Sequence, residues 1–233
     1  MATIYLIRHG QASFGSDDYD QLSLLGQRQA EATGEYFNDC GITFDAVYSG
    51  SLKRQKQTAE IVISSQPVTV PVHTDGRFDE IRNDEQLEKL LPKITSKRAD
   101  IAALVDRGLS SSKDYQKVID AVFNFWVSDQ CQEPDIQSWQ EYSSGVRHAL
   151  SDVIKSQGAG KTLAIFTSGG TIATIVSQVL GLSGRETYSF YEPIFNCAVT
   201  QLFYNRHKTS LSYFNDRSFL QLIGKASGED LVT

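Results

Sequence analysis

Cysteine is scarce in this 233-residue chain, and the three present, Cys40, Cys131 and Cys197, are odd in number and far apart. None stands in a CxxC pair, so neither a disulfide framework nor a zinc site is indicated, and three reduced, mostly buried thiols are expected. Long apolar runs are also missing. No stretch approaches the ~18 residues of a membrane span, and the opening Met-Ala-Thr-Ile-Tyr-Leu-Ile-Arg-His-Gly lacks the basic region and apolar length of a signal peptide. A cytoplasmic protein without a membrane partner is the expectation. Basic residues are in deficit: 22 Lys and Arg stand against 28 Asp and Glu, for a net charge of −6. Nucleic-acid binding, which usually needs a basic surface, is therefore not expected. A phosphorylated ligand remains compatible, because two or three arginines make a local cationic pocket inside an acidic protein.

What is present is 40% hydrophobic residues and 21% charged residues. At ~100–200 residues per domain, this length suits one domain with room for an insertion. Ile4–Ile7 reads as a buried strand ending at Arg8-His9-Gly10. A polar loop follows, with Asp17, Asp18, Tyr19 and Asp20 as a solvated segment or a cover for a pocket mouth. Ser23 suits the N-cap of a helix over Leu24–Asn38, closed by Cys40-Gly41. Phe44–Tyr48 is a second strand, Ser51 the cap of a helix over Leu52–Ile63, and Val68–Val72 an edge strand interrupted by Pro71.

Helical spacing then dominates. Leu87, Leu90, Leu91 and Ile94 form one stripe, which Pro92 should break or kink. Further stripes run through Ile101–Val105, Tyr115–Phe125 and Trp139–Ile154, the last ended by Gly158-Ala159-Gly160. Residues 82–136 read as a helical insert. Thr162–Thr167 returns as a strand, followed by the turn Ser168-Gly169-Gly170, a helix over Thr171–Leu180, and strands at Ala198–Tyr204 and Ser210–Phe214. The tail from Lys225 is expected to fray. Strand-helix alternation on both sides of a helical insert predicts a single α/β domain over residues 1–233. It is a three-layer α/β/α fold with a mainly parallel sheet.

Ligands of such sheets sit at the carboxyl ends of the strands. One end carries Arg8-His9-Gly10-Gln11, where a glycine allows close backbone approach and an arginine supplies a planar charged fork. Another opens the helix beginning near Ser49-Gly50-Ser51-Leu52-Lys53-Arg54, whose N-terminus favours an anion. Each motif alone also suits a surface turn.

Together the motifs resemble the histidine phosphatase superfamily, the phosphoglycerate mutase-like proteins. The likeness rests on Arg8-His9-Gly10, on Leu22-Ser23-Leu24-Leu25-Gly26 and on Ser49 to Ala59 (Ser-x-Leu-x-Arg-x-x-Gln-Thr-Ala). It covers residues 3–60 strongly and 161–216 moderately. The resemblance implies that His9 is a nucleophile forming a phosphohistidine. It implies that Arg8, Gly10, Gln11, Arg54, Ser168 and Gly169 bind the phosphoryl group. Arg77-Phe78-Asp79-Glu80-Ile81 matches the family's acid segment, so Glu80 is the proton donor, with Asp79 and Asp84 as rivals. The family's following Gly-x-Trp-Glu-Gly stretch is absent here.

One departure stands out. The family's late strand usually ends Ser-His-Gly-Gly, and this chain has Thr167-Ser168-Gly169-Gly170. Ser168 thus takes the place of a second histidine, and substituting Ser168→His is expected to raise turnover. The expected function is a phosphomonoester phosphatase, with activity reduced by Ser168. Its alternative is a weak or inactive phosphate-ligand-binding or regulatory protein, with a phosphoglycerate mutase ranked behind both. The expected partner is a small phosphorylated substrate; no cofactor and no metal is called for, and oligomeric state is left open. Ser168 lacks the G-x-S-x-G setting of an acyl hydrolase. His73, His148 and His207 read as surface residues, and Trp126 and Trp139 as packing.

Overall fold

A computed structural model describes residues 2–13 and 20–232. The expected Asp17-Asp18-Tyr19 segment lies outside the described residues. One six-stranded sheet organises the chain in the order β3-β2-β4-β1-β5-β6. The strands are β1 (Ala2–Arg8), β2 (Ala46–Ser49), β3 (Val72–Thr74), β4 (Thr162–Thr167), β5 (Val199–Tyr204) and β6 (Thr209–Asp216). Strands β3, β2, β4 and β1 pair with one another in parallel, while β5 runs antiparallel to both β1 and β6. The fold is α/β with a mixed, mainly parallel sheet flanked by helices, as the alternation predicted.

The central strands read as unbroken apolar runs because both faces are covered. Ile4, Leu6, Leu163 and Ile165 point into one core. Tyr5, Ile7, Ala164 and Phe166 point into the other. Helices α1 (Leu24–Asp39), α2 (Lys53–Ser64) and α9 (Ser218–Ser227) contribute to the second core. The first core takes in α3 (Asn83–Thr95), α4 (Ala99–Asp106), α5 (Ser112–Trp126), α6 (Trp139–Gln157), α7 (Gly169–Leu180) and α8 (Gly184–Tyr191). Trp126 and Trp139 meet edge to face at 5.4 Å in that core, and the Trp126 indole donates to Gln137 O at 2.8 Å.

Several expectations need correction. The third strand starts at Val72, just past Pro71, because a proline lacks the N–H that a ladder needs. Pro92 lies inside α3 without ending it at once: the helix continues three residues further, to Thr95. Ser51 does not cap α2. The N-cap is Leu52, the Ser51 hydroxyl donates to Asp79, and Asp20 Oδ2 accepts the Lys53 amide at 2.8 Å instead. Ser23 does cap α1, accepting from Gly26 N at 3.0 Å. Gly169 and Gly170 are already helical, so Ser168 itself is the N-cap of α7. Cys40 is exposed, whereas Cys197 is buried and burial pushes its thiol up to about 12. The tail is anchored at Leu231, which is 3% exposed and whose carbonyl accepts from Gln29 Nε2 at 3.0 Å.

Candidate active site

Parallel pairing sets the carboxyl ends of β2, β4 and β1 side by side. Arg8 pairs with Thr167 and Ser49 with Phe166. The ladder extends one residue further, through His9 N to Thr167 O at 2.9 Å and Gly50 N to Phe166 O at 3.1 Å. His9, Gly50 and Ser168 therefore lie beside one another at one sheet edge, and the N-termini of α2 and α7 open there. Anions are favoured at such helix ends.

The His9 ring is held from both sides. Nδ1 lies 2.7 Å from Gly10 O, and since a carbonyl only accepts, Nδ1 carries the proton. Nε2 then has the lone pair, and Arg54 Nε donates to it at 3.1 Å. Burial, reinforced by the Arg8 and Arg54 charges, drives the His9 pKa well below its usual range. At neutral pH the ring is uncharged, with its free lone pair turned toward a guanidinium.

Arg8 and Arg54 are oriented by different means. Arg8 donates through Nη1 to Ile194 O, and its Nε is buried without a partner among the described residues. An orphaned buried donor of this kind is costly unless something fills it. Arg54 is paired through Nη1 with Asp20 Oδ1 at 2.6 Å. Asp20 thus caps α2 and counters Arg54 at once.

Glu80 comes from the loop after a short 3-10 turn at Gly76–Phe78. Its Oε1 accepts from Gly170 N at 2.9 Å and from Ile81 N at 3.0 Å. Burial raises its pKa, opposed first by the Arg8 charge. Glycine at 170 is what admits this contact: a Cβ there would fall 2.5 Å from Glu80 Oε1 and 2.4 Å from Ile81 Cδ1. The rivals stand elsewhere. Asp79 is bound to Ser51 N at 2.5 Å and to the Ser51 hydroxyl, and Asp84 is exposed in the first turn of α3.

Gly10, Gln11 and Gly169 have distinct settings. The Gly10 amide donates to Thr58 Oγ1 at 3.1 Å, so it is spent within the protein. Gln11 N donates to Gln29 Oε1 at 2.9 Å, and its own carboxamide oxygen accepts from Ser23 at 2.8 Å. Gly169 lies between Arg8 and the Tyr191 ring: a Cβ there would sit 3.7 Å from Arg8 Nε and 3.1 Å from the ring. Tyr191 is tied to Asn83 Nδ2 at 2.6 Å. A cavity of about 540 Å³ adjoins Arg8, lined also by Gln116, Glu192, Asn196 and Arg217. A smaller one of about 170 Å³ adjoins Glu80 and Tyr142.

Sequence reasoning missed Asp20 as the partner of Arg54, Gln55 as a buried amide, and the Asn83–Tyr191 contact. The role of Asp20 at the start of α2 had no local signal, because its partners Lys53 and Arg54 are 33 and 34 residues away in sequence. His73, His148 and His207 are exposed.

The arrangement joins a neutral imidazole, two guanidiniums, a carboxyl of raised pKa and a helix N-terminus. The histidine phosphatase superfamily (branch 1) pattern matches residues 4–103 and 100–217. The chain is 25% identical over 210 residues to the probable phosphoglycerate mutase GpmB of Enterobacter sp. (strain 638), covering 88% of this chain and 86% of that one. It is 31% identical over 87 residues to a phosphoglycerate mutase of Candida albicans (strain SC5314 / ATCC MYA-2876), a match spanning 34% of this chain and about a third (35%) of that protein. Among solved structures, a mutant phosphoserine phosphatase from Entamoeba histolytica in complex with phosphoserine superimposes with a TM-score of 0.66 at 19% identity, over 94% of this chain and 100% of that one. The chain belongs to the histidine phosphatase superfamily, branch 1.

Proposed function

We propose that this chain is a phosphomonoester phosphatase that works through a phosphohistidine at His9. The observation that carries the reading is the His9 ring, neutral and locked as the Nδ1–H tautomer, with its Nε2 lone pair beside Arg54. In the first step Nε2 attacks phosphorus and the bond to the leaving oxygen breaks. Glu80, whose carboxyl is pushed up by burial, is the group proposed to give that oxygen its proton. In the second step water attacks phosphorus and gives its proton to Glu80, and the P–N electron pair returns to Nε2. Gly10 O holds the Nδ1 proton throughout.

Charge gathers on the equatorial phosphoryl oxygens in such a transfer. Arg8 Nε, unpartnered among the described residues, Arg54, the Gly169 amide at the start of α7, and Gln11 Nε2 are the donors proposed to meet it. Residues 82–136 are read as an insert roofing the pocket of a single domain, and the Asn83–Tyr191 bond ties its start to the phosphoryl site. The phosphoserine held by the Entamoeba relative supports a compact phosphomonoester as substrate.

A binding or regulatory protein without efficient turnover is the second reading. It is favoured by the engagement of Arg54 with Asp20, which leaves that guanidinium part-neutralised. Phosphate release from a panel of phosphomonoesters, with acid-labile labelling of the protein, separates the two. Wild type releasing phosphate and His9→Ala releasing none supports the enzyme; absence of both signals in wild type leaves the binder.

A further inference from the structure

Gln55 is a polar residue in the first turn of a helix, a place where side chains usually face water, yet it is fully buried. Its carboxamide orientation is fixed by two backbone groups. Oε1 accepts from Leu52 N at 3.3 Å, and Nε2 donates to Phe78 O at 3.2 Å. A carbonyl can only accept and an amide N–H only donate, so a flipped carboxamide would lose both bonds. The second Nε2 hydrogen goes to Ser168 Oγ at 2.8 Å. Both hydrogens are thereby committed.

Ser168 is consequently an acceptor toward Gln55 and must direct its own proton elsewhere. The hydroxyl is completely buried, and it donates to no group among the described residues. It stands beside His9, one residue beyond the Arg8–Thr167 pair. A buried hydroxyl proton without an acceptor is an unmet donor, and the group expected at His9, a phosphoryl oxygen, is an acceptor.

We propose that Gln55 is a positioning residue that makes the Ser168 hydroxyl a committed donor to the phosphoryl group at His9. Gly50 is part of the same device, because a Cβ at that position would fall 2.0 Å from Gln55 Oε1. The unit Gly50–Gln55–Ser168 supplies one neutral hydrogen bond where the phosphoryl oxygens gather charge. The inference rests on the phosphohistidine reading and deepens it.

The experiment is a coupling cycle with phosphate release and orthovanadate inhibition as readouts. Removing one transition-state donor costs ~10²–10³ in rate, so Ser168→Ala is expected to lower kcat about 10²-fold with KM little changed, and to weaken vanadate by a similar factor. Ser168→Thr keeps the hydroxyl and is expected to restore most of the rate. Gln55→Glu has the same shape but accepts the serine proton; it is expected to lower kcat as Ser168→Ala does. The double variant should be no slower than Ser168→Ala alone, since a donor already lost cannot be misdirected. If Gln55→Glu fails to fold, Gln55→Met replaces it in the cycle. Losses that multiply in the double variant, or Ser168→Ala at the wild-type rate, overturn the inference alone. Absence of any wild-type turnover overturns the phosphatase reading and this inference with it.

Discussion

Arg54 Nε donates to His9 Nε2 at 3.1 Å while Gly10 O holds the opposite ring nitrogen at 2.7 Å. The lone pair is therefore presented to the very guanidinium that would bind a phosphoryl oxygen. In the proposed reaction an incoming phosphoryl group would insert between the two, trading one hydrogen bond for a charge-assisted contact.

His9→Asn keeps a polar side chain but removes the ring nucleophile. Phosphate release and acid-labile labelling should both vanish, while inorganic phosphate still binds through Arg8 and Arg54. Labelling that persists in this variant would place the nucleophile elsewhere.

If Glu80 is the proton donor, the loss on removing it depends on the leaving group. With an alkyl phosphate, whose alkoxide is a poor leaving group, Glu80→Gln should cost ~10²–10⁴ in kcat. With p-nitrophenyl phosphate, whose phenolate leaves unaided, the cost of the first step should be much smaller. Equal losses on the two substrates would rule out leaving-group protonation by Glu80.

The pH dependence of stability follows from two opposite shifts. His9 has a folded pKa below the usual 6.5, so the unfolded chain takes up a proton that the native state refuses. Its contribution is present above about 6.5 and is lost as pH falls through the folded value. Glu80 is raised above 4.5; its contribution is present below 4.5 and is lost as pH rises through the folded value. Chemical denaturation across pH 4–8 should show Glu80→Gln more stable than wild type at pH 7, with the gap closing toward pH 4. His9→Asn should flatten the acid side of the curve. The proposed reaction needs neutral His9 and protonated Glu80, so kcat/KM should fall as pH drops through the folded His9 value and fall again as pH rises through the folded Glu80 value.

Ser168→His now carries the reverse of its expectation from sequence. The space beside Ser168 is filled by the Gln55 carboxamide at 2.8 Å, so an imidazole there overpacks a fully buried site. The single variant should lose activity and melt lower. Gln55→Ala combined with Ser168→His should recover part of both, and a single variant faster than wild type would show that the carboxamide yields freely.

Leu231→Ala should cost about 2–3 kcal/mol of stability, the lower part of the range for a buried leucine. The same variant should raise KM more than it lowers kcat. Leu231 O is bonded to Gln29, whose other end holds the amide of Gln11 in the candidate site. Thermal melts and substrate titrations check the two parts.

How much of this was legible in the sequence varies with the range of the interaction. His9 and Ser168 sit where apolar strands stop, and Arg54 in the first turn of a helix, so strand ends and helix starts revealed them. Gln55 was invisible, because a glutamine beside an arginine reads as solvated helix surface, and its burial depends on Phe78 and Ser168, 23 and 113 residues away. Asp20 was hidden for the same reason. The short α8 has only eight residues and no long stripe to mark it. In α9 the apolar set Phe219, Leu220 and Ile223 was present, but its partner face lay on α1, through contacts such as the Tyr36–Phe219 stack at 4.3 Å.

The place of β4 in the sheet has a consequence for how the protein acquires its chemistry. β1 and β2 are close in sequence, yet β4 lies between them, and it enters more than a hundred residues later. Until it slots in, the strand that ends at His9 and the strand that leads into the helix of Arg54 have a gap where their shared neighbour belongs. Such long-range parallel pairing closes slowly. The site is thus assembled only when the middle of the sheet is filled, so during synthesis or refolding reactivity at His9 should arrive late, as a report that the parallel half of the sheet has closed.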